Sequence, residues 1–270
     1  MKVMAMNRHG LKSWRLGVVC YLNAKPLIEG LDRDPDLHLV HDVPSRLAPL
    51  LDAGTVDAAL LPVIDLVRSD RKWQVVSDAC IGCDGETLTV RIFSRIPAES
   101  IRRLHVDGDS HTSVVLAKLL WRELYDRKLE IIPFDGQESL DDCEAVLLIG
   151  DKVVNHTLID YHIEIDLGSA WKSLTSLPFV FAVWAAPYNL DVSALASKLT
   201  AARDRGEASA EMIAADYGPG LNWPVTLAKR YLTKRLKYRM GPRQREAIAK
   251  FFELAGRHGL IEPVEELVFA

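Results

Sequence analysis

VDAALL, at residues 56–61, is a continuous apolar run of the kind that forms a strand buried on both faces of a parallel sheet. Two other strand-like segments precede it in the chain, RLGVVC at 15–20 and LHLVH at 37–41. Between these three segments lie two with helical character, at 26–31 and 44–53. This β-α-β-α-β order predicts an α/β fold.

A second α/β unit follows the first in the sequence. Residues 112–125 carry apolar side chains at helical spacing, and the segments around them predict strands. A further apolar strand, FVFAVWAA, occupies 179–186, and from residue 192 onwards the chain has a helical pattern. The strands of the second unit are predicted at 103–106, 129–133 and 145–149.

We predict that the two units form two lobes with a ligand cleft between them. The segments 88–94 and 179–186 are the expected crossover strands. Lobe one would then comprise residues 1–93 and 182–270, and lobe two would comprise residues 94–181. A two-lobed body of this kind binds its ligand in the cleft and closes around it by a hinge motion.

The composition is that of a globular protein and argues against several functional classes. Of the 270 residues, 49% are hydrophobic and 26% are charged, so the chain is neither disordered nor collagen-like. The formal net charge is -4 and the basic cluster at 229–237 has the spacing of a solvated helix face, so we expect no nucleic-acid partner. No apolar run of about 18 residues occurs, which predicts no membrane span. The first 14 residues lack the features of a secretory signal, so we expect a cytoplasmic location, while the oligomeric state stays open.

The cysteine spacing and the lack of cofactor motifs bear on metal, redox and nucleotide chemistry. Cys80 and Cys83 have the C-x-x-C spacing of zinc and redox sites. No second pair follows at metal-binding spacing, so we interpret them, with Cys20 and Cys143, as small apolar residues in a reducing compartment. The motifs of nucleotide-binding loops, serine hydrolases and zinc hydrolases do not occur either. We therefore expect neither a metal nor a cofactor.

Uncharged polar residues gather at the ends of predicted strands, where ligands bind in open α/β sheets. Asn23 follows the first strand and precedes Pro26, so its amide either points at an anion or caps a helix. Residues 109–113, DSHTS, lead into the helix at 112–125 and include its first two residues. Their hydroxyl and N–H groups either hold a carboxylate or phosphate or act as ordinary caps.

Two further segments add polar groups to the expected cleft. Thr87 and Thr89 alternate along a strand and therefore project from the same face. Gly150 directly follows the strand AVLLI and permits close approach of the backbone to a ligand. Asp151 either joins the site or caps the following helix. These residues predict a cleft that binds a small anion and has no obvious acid–base pair.

At these same segments the chain resembles the chorismate dehydratases, the first enzymes of the futalosine route to menaquinone. The N-terminal signature of that family, Y-L-N-x-x-P, has its counterpart at residues 21–26. The resemblance covers nearly the whole chain, apart from an extension that ends at about Lys12. Further family-like segments are VPS (43–45), GTVDAAL (54–60), IGCDG (81–85), LLIGD (147–151), DLG (166–168) and LPFVFAVW (177–184).

The resemblance implies a fold similar to type II periplasmic binding proteins, with two lobes, two crossover strands and a helical C-terminal region. It also implies a carbon–oxygen lyase that removes water from chorismate to give 3-[(1-carboxyvinyl)oxy]benzoate. Such enzymes need no cofactor, because aromatisation of the ring drives the elimination, and the enolpyruvyl carboxylate of the substrate is thought to act as the base. The protein then orients the substrate and supports it electrostatically.

Site residues follow from the resemblance position by position. Asn23 would hydrogen-bond the reacting part of the substrate, and Thr89 stands where the family usually has Ser, so the hydroxyl is kept and a methyl group is added. These two are the predicted catalytic residues. Thr112 and Ser113 would hold a carboxylate of the substrate. The full set of predicted substrate-binding residues is Tyr21, Thr87, Thr112, Ser113, Gly150 and Asp151.

Two alternative functions share this fold. A solute-binding protein for a small carboxylate would need export or a lipid anchor, and the sequence shows neither signal. The naphthoate-forming enzyme of the same pathway has a different N-terminal signature, without Y-L-N-x-x-P. Loss of water from chorismate is therefore the leading interpretation.

Overall fold

The structure, a computed structural model, describes residues 13–106, 108–134, 143–156, 161–262 and 267–269. Within these ranges none of the helices combines the length and the apolarity that a bilayer span requires. Strands and helices alternate along most of the chain, which confirms the predicted α/β class. The strands form two sheets, one of seven strands and one of five.

The first sheet is built around the apolar segments of the N-terminal unit. Strand β1 (Trp14–Val19) pairs in parallel with both β2 (Leu37–Asp42) and β3 (Ala58–Pro62). Helix α1 (Pro44–Asp52) packs against β1 and β3. The predicted short helix after β1 begins earlier than expected and is a 3-10 helix at Leu22–Ile28, which places the residues of the Y-L-N-x-x-P segment at the carboxyl end of a central strand.

The rest of the first sheet comes from distant parts of the chain. Strand β10 (Phe179–Pro187) lies antiparallel between β3 and β4 (Trp73–Cys83), and β4 also pairs with β11 (Leu236–Arg239) and β12 (Val268–Phe269). Strand β4 was not predicted, because its sequence WQVVSDACIGC is neither an unbroken apolar run nor a regular alternation. The expectation that the chain is purely helical after residue 192 is wrong at β11 and β12, which both pair with β4.

The second sheet contains five strands in the order β7-β6-β8-β5-β9. Helix α2 (His111–Tyr125) connects the parallel strands β6 and β7, as the predicted second unit requires. The strands in chain order are β5 (Val90–Ser94), β6 (Arg103–Val106), β7 (Glu130–Pro133), β8 (Ala145–Ile149) and β9 (Ile163–Asp166).

The remaining helices lie mostly in the C-terminal part of the chain, as expected. Between residues 225 and 235 the helix changes from α to π-helical geometry at Tyr231–Arg235. In chain order these helices are α3 (Lys152–Asn155), α4 (Leu167–Thr175), α5 (Ser193–Ala208), α6 (Ala210–Tyr217), α7 (Val225–Arg230) and α8 (Pro242–Arg257).

We use lobe one for the part built on the first sheet and lobe two for the part built on the second. The chain passes from β4 in the first sheet to β5 in the second through residues 84–89. It returns between α4 and β10, through residues 176–178. Both sheet changes lie a few residues before the expected boundaries at 93/94 and 181/182, and those boundaries stay a prediction for the lobes.

The cysteines lie in the interior of the structure and are free thiols. Cys80, Cys83 and Cys143 are buried, and Cys20 is half-buried. Burial raises the pKa of Cys80 to about 12 and raises that of Cys83 as well, so both thiols are protonated at neutral pH. In the part of the chain that the structure describes, no group of three His, Cys, Asp or Glu side chains comes together in a way that could hold a metal ion.

Candidate active site

A cavity that is partly open to solvent lies between the two lobes. Lobe one contributes residues from the ends of β1, β3, β4 and β10, and lobe two contributes residues from β5, β8 and the start of α2. Six of the eight predicted site residues line this cavity together, whereas Thr112 and Asp151 do not. The six are Tyr21, Asn23, Thr87, Thr89, Ser113 and Gly150.

Tyr21 joins the two lobes at one wall of the cavity. Its hydroxyl donates to Asp109 Oδ2 over 2.6 Å, and the ammonium group of Lys152 contacts the same carboxylate oxygen. The Tyr21 ring lies so close to Gly150 that a Cβ at this glycine would be 2.6 Å from Tyr21 Cδ2. Gly150 also has a φ of +60°, so both the backbone conformation and the ring contact require glycine here.

Asn23 lies inside the 3-10 helix Leu22–Ile28, and the N-cap position of that helix belongs to Tyr21. The interpretation of Asn23 as an ordinary helix cap is therefore wrong. Burial raises the pKa of the Tyr231 hydroxyl and the nearby Asn23 side chain opposes that rise, while Asn23 Oδ1 is buried without a partner among the described residues. Because a buried unpaired carbonyl oxygen is costly, this atom is available to a donor on a bound ligand.

Thr87 and Thr89 line the cavity from the segment that leads into lobe two, and both are buried. The Thr89 hydroxyl is 2.6 Å from the hydroxyl of Tyr231. The backbone before Thr89 is held by Asp166, whose carboxylate accepts the N–H groups of Thr87 at 3.0 Å and Leu88 at 2.8 Å. Leu88 has a φ of +71°, a rare conformation for leucine, so these bonds stabilise the turn that presents both threonines.

The N-terminus of α2 supplies the opposite end of the cavity. Ser110 occupies the N-cap position, where its Oγ accepts the N–H of Ser113 over 3.2 Å and donates to Ser113 Oγ over 2.9 Å. Both serines line the cavity. The capping interpretation of this segment therefore holds for Ser110, and the same arrangement places hydroxyl groups and a positive helix end at the cavity.

Thr112 takes a different place from the one expected of a carboxylate ligand. Its side chain is fully buried, and Oγ1 accepts the N–H of Ile64 and donates to the carbonyl oxygen of Phe181, both over 3.3 Å. Ile64 and Phe181 belong to lobe one, while Thr112 belongs to lobe two. The hydroxyl proton of Thr112 is thus used in a hydrogen bond between the lobes.

Asp151 also connects the lobes. It is buried, and its carboxylate accepts the N–H of Leu22 over 3.3 Å and the indole N–H of Trp223 over 2.9 Å. Burial raises the pKa of Asp151, and the hydrogen bonds from Trp223 and Leu22 oppose that rise. Since Leu22 begins the helix that carries Asn23, Asp151 fixes the position of that helix against lobe two.

We expect Asp151→Ala to lower the free energy of unfolding by about 2 kcal/mol, because it leaves the N–H groups of Leu22 and Trp223 buried without an acceptor. Asp151→Asn keeps one carbonyl oxygen as acceptor and removes a buried charge, so we expect a change below about 1 kcal/mol. Because burial raises the pKa of Asp151, the wild type should gain stability relative to Asp151→Asn as the pH falls through that pKa. Urea unfolding at several pH values measures both effects, with Asp70→Ala at an exposed carboxylate as control. Equal losses for the Ala and Asn variants would contradict the bridging role.

Sequence reasoning missed one polar residue of the cavity, Tyr231. It belongs to the segment KRYLTKR at 229–235, which was interpreted as a solvated helix face. The ring is buried instead, stacked on Trp223 with a centroid distance of 4.9 Å and an interplanar angle of 17°. A local helical pattern contains no signal for this arrangement, because the segment is π-helical and packs against residues far away in the sequence.

The electrostatic character of the cavity comes from dipoles and not from ions. None of the described residues that line it has a charged side chain. Its polar groups are an amide, several hydroxyls and the N-terminus of α2, while Phe181, Ile149 and Val19 are among its apolar walls. A small ligand with an apolar body and a few polar substituents matches this distribution.

Comparison with known proteins places this geometry in context. The model of a family described as menaquinone biosynthesis matches residues 14–257. A chorismate dehydratase of Thermus thermophilus is 28% identical, over 91% of this chain and 96% of the relative.

The solved structures that resemble the chain concern its fold alone. A protein of Archaeoglobus fulgidus superposes with a TM-score of 0.73 at 18% identity, covering 92% of this chain and 98% of that one. The periplasmic aliphatic sulphonate binding protein of Escherichia coli superposes with a TM-score of 0.64 at 13% identity, covering 94% of both chains. A Candida albicans protein described as having the generic periplasmic binding protein fold superposes with a TM-score of 0.61 at 13% identity. The match covers 94% of this chain and 92% of that one. The predicted periplasmic-binding-protein-like fold is thereby confirmed.

Proposed function

Because this chain belongs to the menaquinone biosynthesis family, we propose that it is a chorismate dehydratase, a carbon–oxygen lyase that removes water from chorismate. The observation that carries the proposal is the uncharged polar cavity, into which both lobes direct amide and hydroxyl groups. The relative from Thermus thermophilus, named for this activity and matched over most of both chains, supports it.

The reaction breaks two bonds of the substrate ring. The proton at ring C3 leaves, the bond between C4 and its hydroxyl breaks, and the electrons of the C–H bond form the C3=C4 double bond that completes the aromatic ring. No oxidant or reductant is needed, since water is the only group lost. In line with the resemblance, the enolpyruvyl carboxylate of the substrate accepts the proton and passes it to the departing C4 hydroxyl, which leaves as water.

The two ends of the cavity take different parts of the substrate in this proposal. Ser110 and Ser113, at the N-terminus of α2, bind a carboxylate through hydroxyl groups and the helix dipole. Asn23 and Thr89, which also line the cavity, hydrogen-bond the reacting side of the ring. Tyr21, Thr87 and Gly150 form the walls between them. Thr112 and Asp151 act indirectly, by holding the lobes in the arrangement that closes the cavity.

Incubation of the purified protein with chorismate tests this function. We expect chorismate to disappear and 3-[(1-carboxyvinyl)oxy]benzoate to accumulate, as followed by liquid chromatography with mass detection. Exhaustive chelation beforehand should leave the rate unchanged, because the proposed roles fall to amides, hydroxyls and a helix terminus. Recovery of unchanged chorismate, or strict dependence of the rate on an added metal, would contradict the proposal. The cytoplasmic location and the lack of a nucleic-acid partner stay predictions.

A further inference from the structure

The hydroxyl of Tyr231 belongs to a small polar network in the cavity lining that also contains Thr89 and Asn23. It is 2.6 Å from Thr89 Oγ1, and Asn23 lies near enough to oppose the rise that burial causes in the pKa of the phenol. Thr89 and Asn23 are the two predicted catalytic residues, and they reach the network from separate segments of the chain. One buried phenol therefore bonds to one of the side chains that are expected to act on the substrate and lies near the other.

The number of donors in this network leaves one hydroxyl proton for a ligand. Tyr231 and Thr89 share a single bond, in which either oxygen is the donor. If Thr89 donates, the Tyr231 proton has no acceptor in the pair, and if Tyr231 donates, the Thr89 proton has none. In both cases one O–H of the pair has no acceptor among the described residues and is available to a ligand in the cavity.

The position of the Tyr231 ring depends on contacts that span the two lobes. The ring stacks on Trp223, whose indole N–H donates to Asp151 of lobe two over 2.9 Å. The backbone at Tyr231 is π-helical, a geometry that is frequent at functional sites because it redirects a side chain within a helix. The ring is thus held on its face, at its backbone and at its hydroxyl.

We propose that Tyr231 is a positioning residue, whose hydroxyl sets the directions of the Asn23 amide and the Thr89 hydroxyl in the cavity. This inference rests on the proposed function for its kinetic consequence, but its structural content can be tested without any turnover. The ring provides packing, whereas the oxygen provides the orientation. A variant that removes only the hydroxyl oxygen distinguishes the orienting contribution from the packing contribution.

Tyr231→Phe keeps the stacking on Trp223 and removes only the hydroxyl. We expect kcat to fall about tenfold to a hundredfold with KM changed by less than about threefold, as for loss of an orientation that matters mainly in the transition state. The matched control is Tyr238→Phe, because Tyr238 is equally buried, lies outside the cavity lining, and has a hydroxyl without a partner among the described residues. This control should turn over like the wild type.

Thr89→Val provides a second route to the same network. If Tyr231 acts through Thr89, the two substitutions affect a shared interaction, and Tyr231→Phe combined with Thr89→Val should lose little more than the worse single variant. Additive losses would mean that the two hydroxyls act independently. That result, or wild-type kcat in Tyr231→Phe, would overturn the positioning role.

The side-chain amide of Asn23 gives a readout that needs no substrate. In an ¹⁵N-labelled sample its signal is identified by its absence in Asn23→Asp, and in the wild type we expect its protons to exchange more slowly than those of exposed Asn222. Tyr231→Phe should shift this signal and speed its exchange, whereas Tyr238→Phe should not. If the wild type fails to dehydrate chorismate, the proposed function is wrong, and this signal still decides whether Tyr231 orients Asn23. An unshifted signal in Tyr231→Phe would overturn the inference whatever the reaction.

Discussion

Asn23→Asp is expected to reduce the turnover of chorismate by about a hundredfold, a loss typical of removing one positioned contact to a transition state. The substitution keeps the size of the side chain but removes its only donor group, the amide N–H₂. It also places a negative charge beside a substrate that carries two carboxylates. Both changes act at the proposed reacting side of the cavity, whose lining also includes Tyr231 and Thr89.

The stability of this variant should change much less than its turnover. Asn23 is half-buried and does not cap the helix, so we expect the free energy of unfolding of Asn23→Asp to fall by no more than about 1 kcal/mol, the size of one hydrogen bond. Thermal melting and chorismate turnover are measured on the same preparation. Asn189→Asp, the same chemical change at an exposed turn outside the cavity, is the control and should behave like the wild type.

The pH dependence of the variant gives an additional criterion. A protonated Asp is neutral and has an O–H donor, so the turnover of Asn23→Asp should recover in part as the pH falls through the pKa of that carboxyl. The wild type, which has an amide at this position, should show no such recovery. An Asn23→Asp protein that melts normally and keeps near-normal turnover at neutral pH would show that Asn23 does not act on the substrate.

Gly206→Ala is expected to lower the free energy of unfolding by about 3 kcal/mol, at the upper end for an added methyl group in a packed interior. Gly206 lies in α5, where its backbone faces the 3-10 helix Leu22–Ile28. A Cβ at this position would lie 1.9 Å from the carbonyl oxygen of Pro26 and 2.5 Å from two other Pro26 backbone atoms. Since no flexible side chain can move aside, the two helices must separate.

This substitution should also reduce turnover, because Pro26 and Asn23 belong to the same short helix. Gly256→Ala in α8 is the matched control, since a Cβ there meets no atom within 4 Å and alanine favours helix by up to about 1 kcal/mol. Urea unfolding curves of the two variants should therefore move in opposite directions. If Gly206→Ala were as stable as Gly256→Ala, the close packing of α5 against the Asn23 helix would be incorrect.

The sequence by itself determined the features that depend on neighbours along the chain. The apolar runs at β3, β8 and β10 indicated buried strands because a strand enclosed on both faces tolerates few polar residues. The regular apolar spacing in α2, with serine before it, indicated the helix and its capped N-terminus. The motifs shared with a known family indicated the fold and six residues that the structure places together in one cavity.

The tertiary structure alone decided how the polar groups of the site are used. Thr89 and Tyr231 are 142 residues apart, and Leu22 and Asp151 are 129 residues apart. The hydroxyl of Thr112 bonds to lobe one, and Asn23 lies inside a helix instead of capping it, an alternative that the local sequence had left open. A hydrogen bond between distant residues depends on the packing of two sheets and on the competition among all donors and acceptors that the packing brings together. Sequence spacing contains no record of that competition, which is why Tyr231 became visible only in the folded molecule.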